Sequence, residues 1–260
     1  MTNSGMAVDL FMFMGQSNMA GRGIVTEEHR EPAPRLAEGA GFEYRAVSAP
    51  DTLHAISEPF GRFENRRGGI DDGDMKTGSM VTAFTNAYYN TGKIPIIGVS
   101  ASKGGSRIDW WQPEGELLED ALRRLKAARD FLLKNNFPVR HEFMLWCQGE
   151  SDGDIHKSAK QYREEFGHML NAMLKAGIER CFLVRIGHYN GLAPVDYTEI
   201  MEAQEEIAKT DDKVVMVSRA FAQMRERGLM KDDFHYFQEA YNIAGREAGE
   251  NAALYVSEYM

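Results

Sequence analysis

The feature that most constrains this chain is a set of short apolar runs without polar alternation, separated by long amphipathic stretches. Residues 7–14 (AVDLFMFM), 94–99 (IPIIGV), 142–147 (EFMLWC), 181–186 (CFLVRI) and 214–217 (VVMV) are apolar at nearly every position. A strand wetted on one face alternates, whereas a strand buried on both does not, so these runs predict a parallel sheet covered on both sides. Helix-like patterns lie between and after them at about 78–89, 116–135, 156–176, 196–209 and 238–255. Gly177 and the Asn136-Phe137-Pro138 tripeptide supply helix stops. Strands alternating with helices mean βαβ units with right-handed crossovers, hence an open, doubly wound α/β sheet of five strands.

A chain of 260 residues fits one α/β domain or two smaller ones. One sheet of five strands favours a single domain over 1–260. The stretch 26–76 interrupts the pattern with Pro32, Pro34, Pro50, Pro59 and many glycines. A loop that long is rarely structureless, so it is expected to be a functional excursion or a small hairpin subdomain, with 41–47 (GFEYRAV) as one short strand. Lys plus Arg number 30 against 39 Asp plus Glu, and the net charge of −9 argues against a nucleic-acid surface or a polybasic membrane patch. The apolar runs are too short to span a bilayer, and residues 1–9 carry no signal-peptide pattern. Cys147 and Cys181, both within apolar runs, read as buried free thiols. A cytoplasmic protein is the expectation.

Ligands of an open α/β sheet bind outside the carboxyl ends of its strands. Here those ends lead into Gly15-Gln16-Ser17-Asn18, 100–107 (SASKGGSR), Gln148-Gly149-Glu150-Ser151-Asp152, Gly187-His188-Tyr189-Asn190 and Asp232-Asp233-Phe234-His235. A hydroxyl, glycine backbone donors, a side-chain amide, carboxylates and histidines therefore gather on one edge. Ser17 at the first turn is either a helix N-cap or a nucleophile, and a serine hydroxyl needs a base to take its proton. His235, with carboxylates two and three residues upstream, is the natural base. The third residue back, Asp232, can curl beneath the imidazole and hold Nδ1, leaving Nε2 for Ser17, while Asp233 points away. His188 is the rival base but has no carboxylate nearby. Asp232, Asp233, Glu150, His188 and His235 lack the spacing of a metal motif, so no metal and no cofactor are expected. Glycines at Gly104 and Gly105 let backbone N–H groups approach a ligand, and the Gln148 amide leaves a buried strand directly into the cleft.

The segments Gly15–Gly21 (GQSNMAG), Gly104-Gly105-Ser106, Gln148–Asp152 (QGESD) and Asp232–His235 together resemble the SGNH hydrolase superfamily. Within it the chain resembles the sialate O-acetylesterase and acetyl xylan esterase branch, carbohydrate esterase family six. The motifs fall in the expected order over nearly the whole chain, and GQSNMAG and QGESD are specific signatures. The superfamily at large has asparagine where this chain has Gln148; the branch has glutamine. The resemblance implies a flavodoxin-like three-layer α/β/α sandwich with a five-stranded parallel sheet in the order 2-1-3-4-5. It also implies Ser17 as nucleophile, His235 as base and Asp232 as orienting acid. The oxyanion hole would comprise the Ser17 N–H, an N–H from Gly104 or Gly105, and the Gln148 amide.

The expected activity is removal of O-acetyl groups from acetylated sugars or oligosaccharides through an acetyl-enzyme. Gln16, Asn18, Arg107, Trp110, Glu150 and His188 are expected to line the substrate site. Trp110 and Trp111 offer flat faces for a sugar ring, with a place in the core as the alternative. Two other readings of the same residues are an esterase or thioesterase for non-carbohydrate esters and a catalytically silent carbohydrate-binding protein. Retention of both Ser17 and His235 speaks against the second of these.

Overall fold

The computed structural model of the protein describes residues 5–260. Along the chain run β1 (Val8–Gly15), α1 (Ser17–Ala20), β2 (Gly41–Tyr44), β3 (Leu53–Ala55), α2 (Val81–Gly92), β4 (Ile96–Ser102) and α3 (Glu116–Lys134). There follow β5 (Val139–Cys147), α4 (Glu150–Asp154), α5 (Ala159–Lys175), β6 (Arg180–Val184), α6 (Thr198–Thr210), β7 (Val214–Ser218) and α7 (Gln238–Tyr259). Every residue of β1 is buried. Its Leu10, Met12 and Met14 enter one apolar cluster with α3, α5 and α6, whereas Phe11 and Phe13 enter another with α2 and α7. Successive strand side chains point to opposite faces, so a strand apolar throughout requires a helical layer on each side. The outcome is the expected three-layer α/β/α sandwich. Phe11 packs edge-on against both Phe84 and Tyr88 of α2, each at 5.1 Å between ring centroids.

The sheet order is β3-β2-β4-β1-β5-β6-β7. The five anticipated strands are contiguous, mutually parallel and in the anticipated order, β4-β1-β5-β6-β7. Seven strands stand where five were expected, and the two additions come from the segment 26–76. β2 pairs parallel with β4, and β3 pairs antiparallel on β2 as the edge. These strands are only four and three residues long, and β3 has no buried residue, so neither produces a readable period.

A buried arginine also fastens the same segment to the sheet. Arg124 of α3, 1% exposed, donates from Nη1 to the Ser100 carbonyl at 2.8 Å and from Nη2 to the Glu64 carbonyl at 2.8 Å. Its charge is met by Asp120 Oδ2 at 2.9 Å, which also accepts the Ile70 N–H at 3.0 Å. β4, α3 and the excursion thus share one buried ion pair. Among the described residues, no helix is long and apolar enough to cross a membrane. Arg124→Met strands the Ser100, Glu64 and Ile70 carbonyls and leaves buried Asp120 only its half-exposed partners Arg66 and Arg123, so it is expected to lower the unfolding free energy by about 3 kcal/mol or more. Urea titration checks this, and a loss below about 1 kcal/mol contradicts it.

Candidate active site

The site is built on the abrupt end of β1. Gly15 has φ of 139°, and a Cβ there would lie 2.0 Å from the Cys147 carbonyl oxygen. Only glycine lets the two strand ends approach this closely. The next peptide N–H, from Gln16, donates to that same carbonyl at 3.0 Å. Lys103, at the end of β4, donates to the Gly15 carbonyl at 2.9 Å. Three strand ends are thereby tied at one point. Ser17 follows as the first residue of α1, whose N-cap is Gln16, so the hydroxyl is not spent on capping. Neither the Ser17 hydroxyl nor its backbone N–H has a hydrogen-bond partner among the described residues.

Asp232 and His235 form a closed local unit. Asp232 Oδ1 accepts the backbone N–H groups of Phe234 at 3.0 Å and His235 at 2.7 Å, while Oδ2 lies 2.9 Å from His235 Nδ1. A carboxylate facing Nδ1 fixes that nitrogen as the protonated one. Burial pushes the Asp232 carboxyl up, but the imidazole and the two N–H donors outweigh it and hold the pKa at about 2. His235 Nε2 is buried and has no partner among the described residues. Asn18, next to Ser17, donates to the carbonyl of Phe234, next to His235, at 3.0 Å, so the two turns meet. Asp233 instead accepts the Tyr189 hydroxyl at 3.0 Å, and its carbonyl accepts the Asn190 N–H at 2.7 Å. His188 is exposed on the loop that Tyr189 and Asn190 fasten.

The glycine turn separates its two candidate donors. The Gly104 N–H donates to Asp72 Oδ1 at 2.7 Å, and Asp72 Oδ2 is paired with Arg22 Nη2 at 2.8 Å. The Lys103 and Ser106 N–H groups are also taken, by Gly15 and Lys103 carbonyls. Gly105 alone of the four has an N–H without an acceptor among the described residues, and the space over its Cα is open.

The Gln148 amide does not face the cleft as expected. It is fully buried, and its Nε2 lies within hydrogen-bond distance of Ser106 O at 3.0 Å, Asp152 Oδ2 at 2.5 Å and Gln16 Oε1 at 3.2 Å. Two hydrogens facing three acceptors leave none for an incoming oxyanion. Gln16, Asn18 and Glu150, expected along the substrate site, are buried, as Ser17 is, and their polar atoms are engaged with neighbouring turns. Gln16 Oε1 accepts the Gly149 and Ser151 N–H groups at 3.1 and 3.3 Å. Asn18 donates to Glu150 Oε1 at 2.5 Å and accepts the Tyr241 hydroxyl at 2.6 Å. Arg107 is half-buried, lies 5.2 Å above the Trp110 ring and pairs with Asp109, and Trp110 is 42% exposed. Trp111 belongs to the core, its indole N–H donating to Ser106 Oγ at 3.0 Å.

Residues to which the sequence assigned no role complete the surroundings. Arg22 and Asp72 hold Gly104, Tyr189 holds Asp233, and Asp152 links the Ile108 N–H at 3.0 Å to Lys157 at 3.1 Å. Arg22 lies directly behind GQSNMAG and was within reach of sequence reasoning; Asp72 carried no local signal. No group of three or more His, Cys, Asp or Glu able to hold a metal ion occurs among the described residues.

The family model described as carbohydrate esterase, sialic acid-specific acetylesterase, matches residues 7–253. The chain belongs to this family. A relative described as a probable carbohydrate esterase of Arabidopsis thaliana is 28% identical over 183 residues, covering 64% of this chain. The match spans 61% of that relative's length. An X-ray structure of an Arabidopsis thaliana protein superposes with a TM-score of 0.70 at 24% identity, covering 97% of this chain and 99% of that one. A carbohydrate acetylesterase from Xanthomonas citri gives 0.56 at 15% identity, over 97% of this chain and 57% of that one. Both share the fold.

Glu150 yields a test of the buried layer in this esterase fold. Burial raises its pKa to about 7 against the lowering effect of the Asn18 amide, and Oε2 has no partner among the described residues. A carboxyl with a raised folded-state pKa favours the folded state while protonated, and that advantage fades as pH rises from 4.5 toward 7. Wild-type stability is expected to fall over this window by up to about 3 kcal/mol relative to Glu150→Gln. Denaturant unfolding of both proteins at several pH values checks it, and parallel curves contradict it.

Proposed function

We propose that this protein is a serine O-acetylesterase acting on acetylated carbohydrates. The observation that carries the reading is the Asp232–His235 couple, whose free Nε2 is buried where the turn bearing Ser17 meets the turn bearing His235. A base already oriented by a carboxylate and lacking its own acceptor is suited to take a serine proton. The family description supports an acetylated sugar as substrate.

In this reading His235 Nε2 removes the hydroxyl proton as Ser17 Oγ attacks the acetyl carbonyl. Negative charge moves onto the carbonyl oxygen, which the Ser17 and Gly105 N–H groups stabilise. His235 then returns the proton to the departing sugar oxygen, leaving Ser17 acetylated. Water, deprotonated by the same imidazole, attacks the acetyl-enzyme; the acetyl carbon–Ser17 Oγ bond breaks, His235 returns the proton to Oγ, and acetate leaves. Asp232 stabilises the imidazolium formed in each half-reaction. One backbone donor of this kind contributes on the order of 3 kcal/mol to the transition state. Gly105 takes the role over Gly104 because its hydrogen is uncommitted.

Ser17→Ala is expected to abolish release of acetate from an aryl acetate and from acetylated xylo-oligosaccharides or sialic acids, with little change in melting temperature. Activity that survives in Ser17→Ala contradicts the reading. The two aspartates provide a finer test. Asp232→Asn is expected to lower kcat by as much as about four orders of magnitude, whereas Asp233→Asn, which loses only the Tyr189 contact, stays within a few-fold. Equal losses would show that a different acid orients His235.

A further inference from the structure

The excursion at 26–76 reaches the site through a single carboxylate. Asp72 Oδ1 accepts the Gly104 N–H at 2.7 Å, and its Oδ2 is paired with Arg22 Nη2 at 2.8 Å. Both side chains are nearly buried, at 7% exposure for Arg22 and 3% for Asp72. Arg22 Nη1 also donates to the Gly21 carbonyl at 3.1 Å, so the pair is anchored just behind α1. The fit around Gly104 is tight: a Cβ there would lie 2.3 Å from Arg22 Nη2 and 2.6 Å from Asp72 Oδ1. The pair therefore spans the turn after β1 and the turn after β4, which carry the two N–H donors assigned to the oxyanion.

We infer that Asp72 and Arg22 are a positioning pair for the oxyanion hole, Asp72 by fixing the Gly104 peptide and Arg22 by neutralising Asp72. The inference rests on the esterase reading given above. A hydrogen bond from an amide to a carboxylate is charge-assisted and directional, so it sets the orientation of the turn from which the Gly105 N–H projects. Catalytic donors are effective when they are aimed before the charge develops. A bare carboxylate bound to this turn would oppose a neighbouring oxyanion, and the arginine cancels that field. Neither residue touches the reacting atoms in this scheme.

The test is steady-state hydrolysis of an aryl acetate by Asp72→Ala, Arg22→Gln, Asp72→Asn and the neutral double variant Arg22→Gln/Asp72→Asn, with Ser17→Ala alongside. Asp72→Ala frees the Gly104 N–H and is expected to lower kcat by about ten- to a hundred-fold with KM within two-fold, the pattern of an interaction realised in the transition state. Arg22→Gln, which leaves the carboxylate unneutralised, is expected to fall at least as far. The double variant keeps an oxygen acceptor for Gly104 and removes both charges of the pair, with buried Lys76 still held by the Gly61 carbonyl and Ser100 Oγ, so it should regain most of the lost kcat. It also supplies the answer where a single variant does not fold. Wild-type kcat in Asp72→Ala, or a double variant as slow as the single ones, overturns the inference. If Ser17→Ala remains active, the esterase reading itself fails; if Ser17→Ala is inactive while Asp72→Ala is normal, only the positioning role fails.

Discussion

The close approach of Gly15 to the carbonyl of Cys147 sets where every other part of the site lies. No side chain fits there, and the contact brings the end of β1 against the end of β5. The Gly15 carbonyl accepts the Lys103 N–H from the end of β4, so the serine turn, the glycine turn and the QGESD turn start from one junction. In a parallel sheet all strand ends point the same way, and the loops beyond them converge only if the strands stop level. Ser17 and Gly105 owe their common edge to this junction rather than to contacts of their own.

Beneath that edge lies a layer of buried polar side chains. Gln16, Asn18, Gln148, Glu150 and Asp152 are all buried, and they bind one another and the backbone of the glycine turn, the QGESD turn and the histidine turn. Burying such groups costs free energy unless each finds partners, and a satisfied network rigidifies the region around it. Asn18 uses both amide hydrogens and its oxygen, holding Glu150, the Phe234 carbonyl and Tyr241 at once. A lattice of this kind keeps the serine turn and the histidine turn in fixed relation, as electrostatic stabilisation of a transition state demands.

The sequence disclosed the parallel sheet because a strand buried on both faces is apolar throughout, as β1 is. It disclosed the Asp232–His235 geometry because the contact closes over three residues and needs no tertiary information. It disclosed β2 only as a short strand within 41–47 and did not disclose β3, whose three residues, none of them buried, owe their conformation to pairing with β2. It did not disclose how deeply Gln16, Asn18, Gln148 and Glu150 are buried, since position at a strand end places a residue at the site's edge but not its depth. Asp72 was illegible for a different reason: its partner Gly104 is 32 residues away, and a lone aspartate in a glycine-rich loop has no pattern.

In the proposed reaction Ser17 is the group that becomes covalently modified, with His235 Nε2 as its base. Incubation with a 4-nitrophenyl alkylphosphonate, followed by peptide mass spectrometry, examines this directly. The account predicts one nitrophenolate released per chain, the phosphonyl group on Ser17, and loss of esterase activity in step with labelling. A label on another residue, or esterase activity that persists after Ser17 is fully labelled, would contradict it.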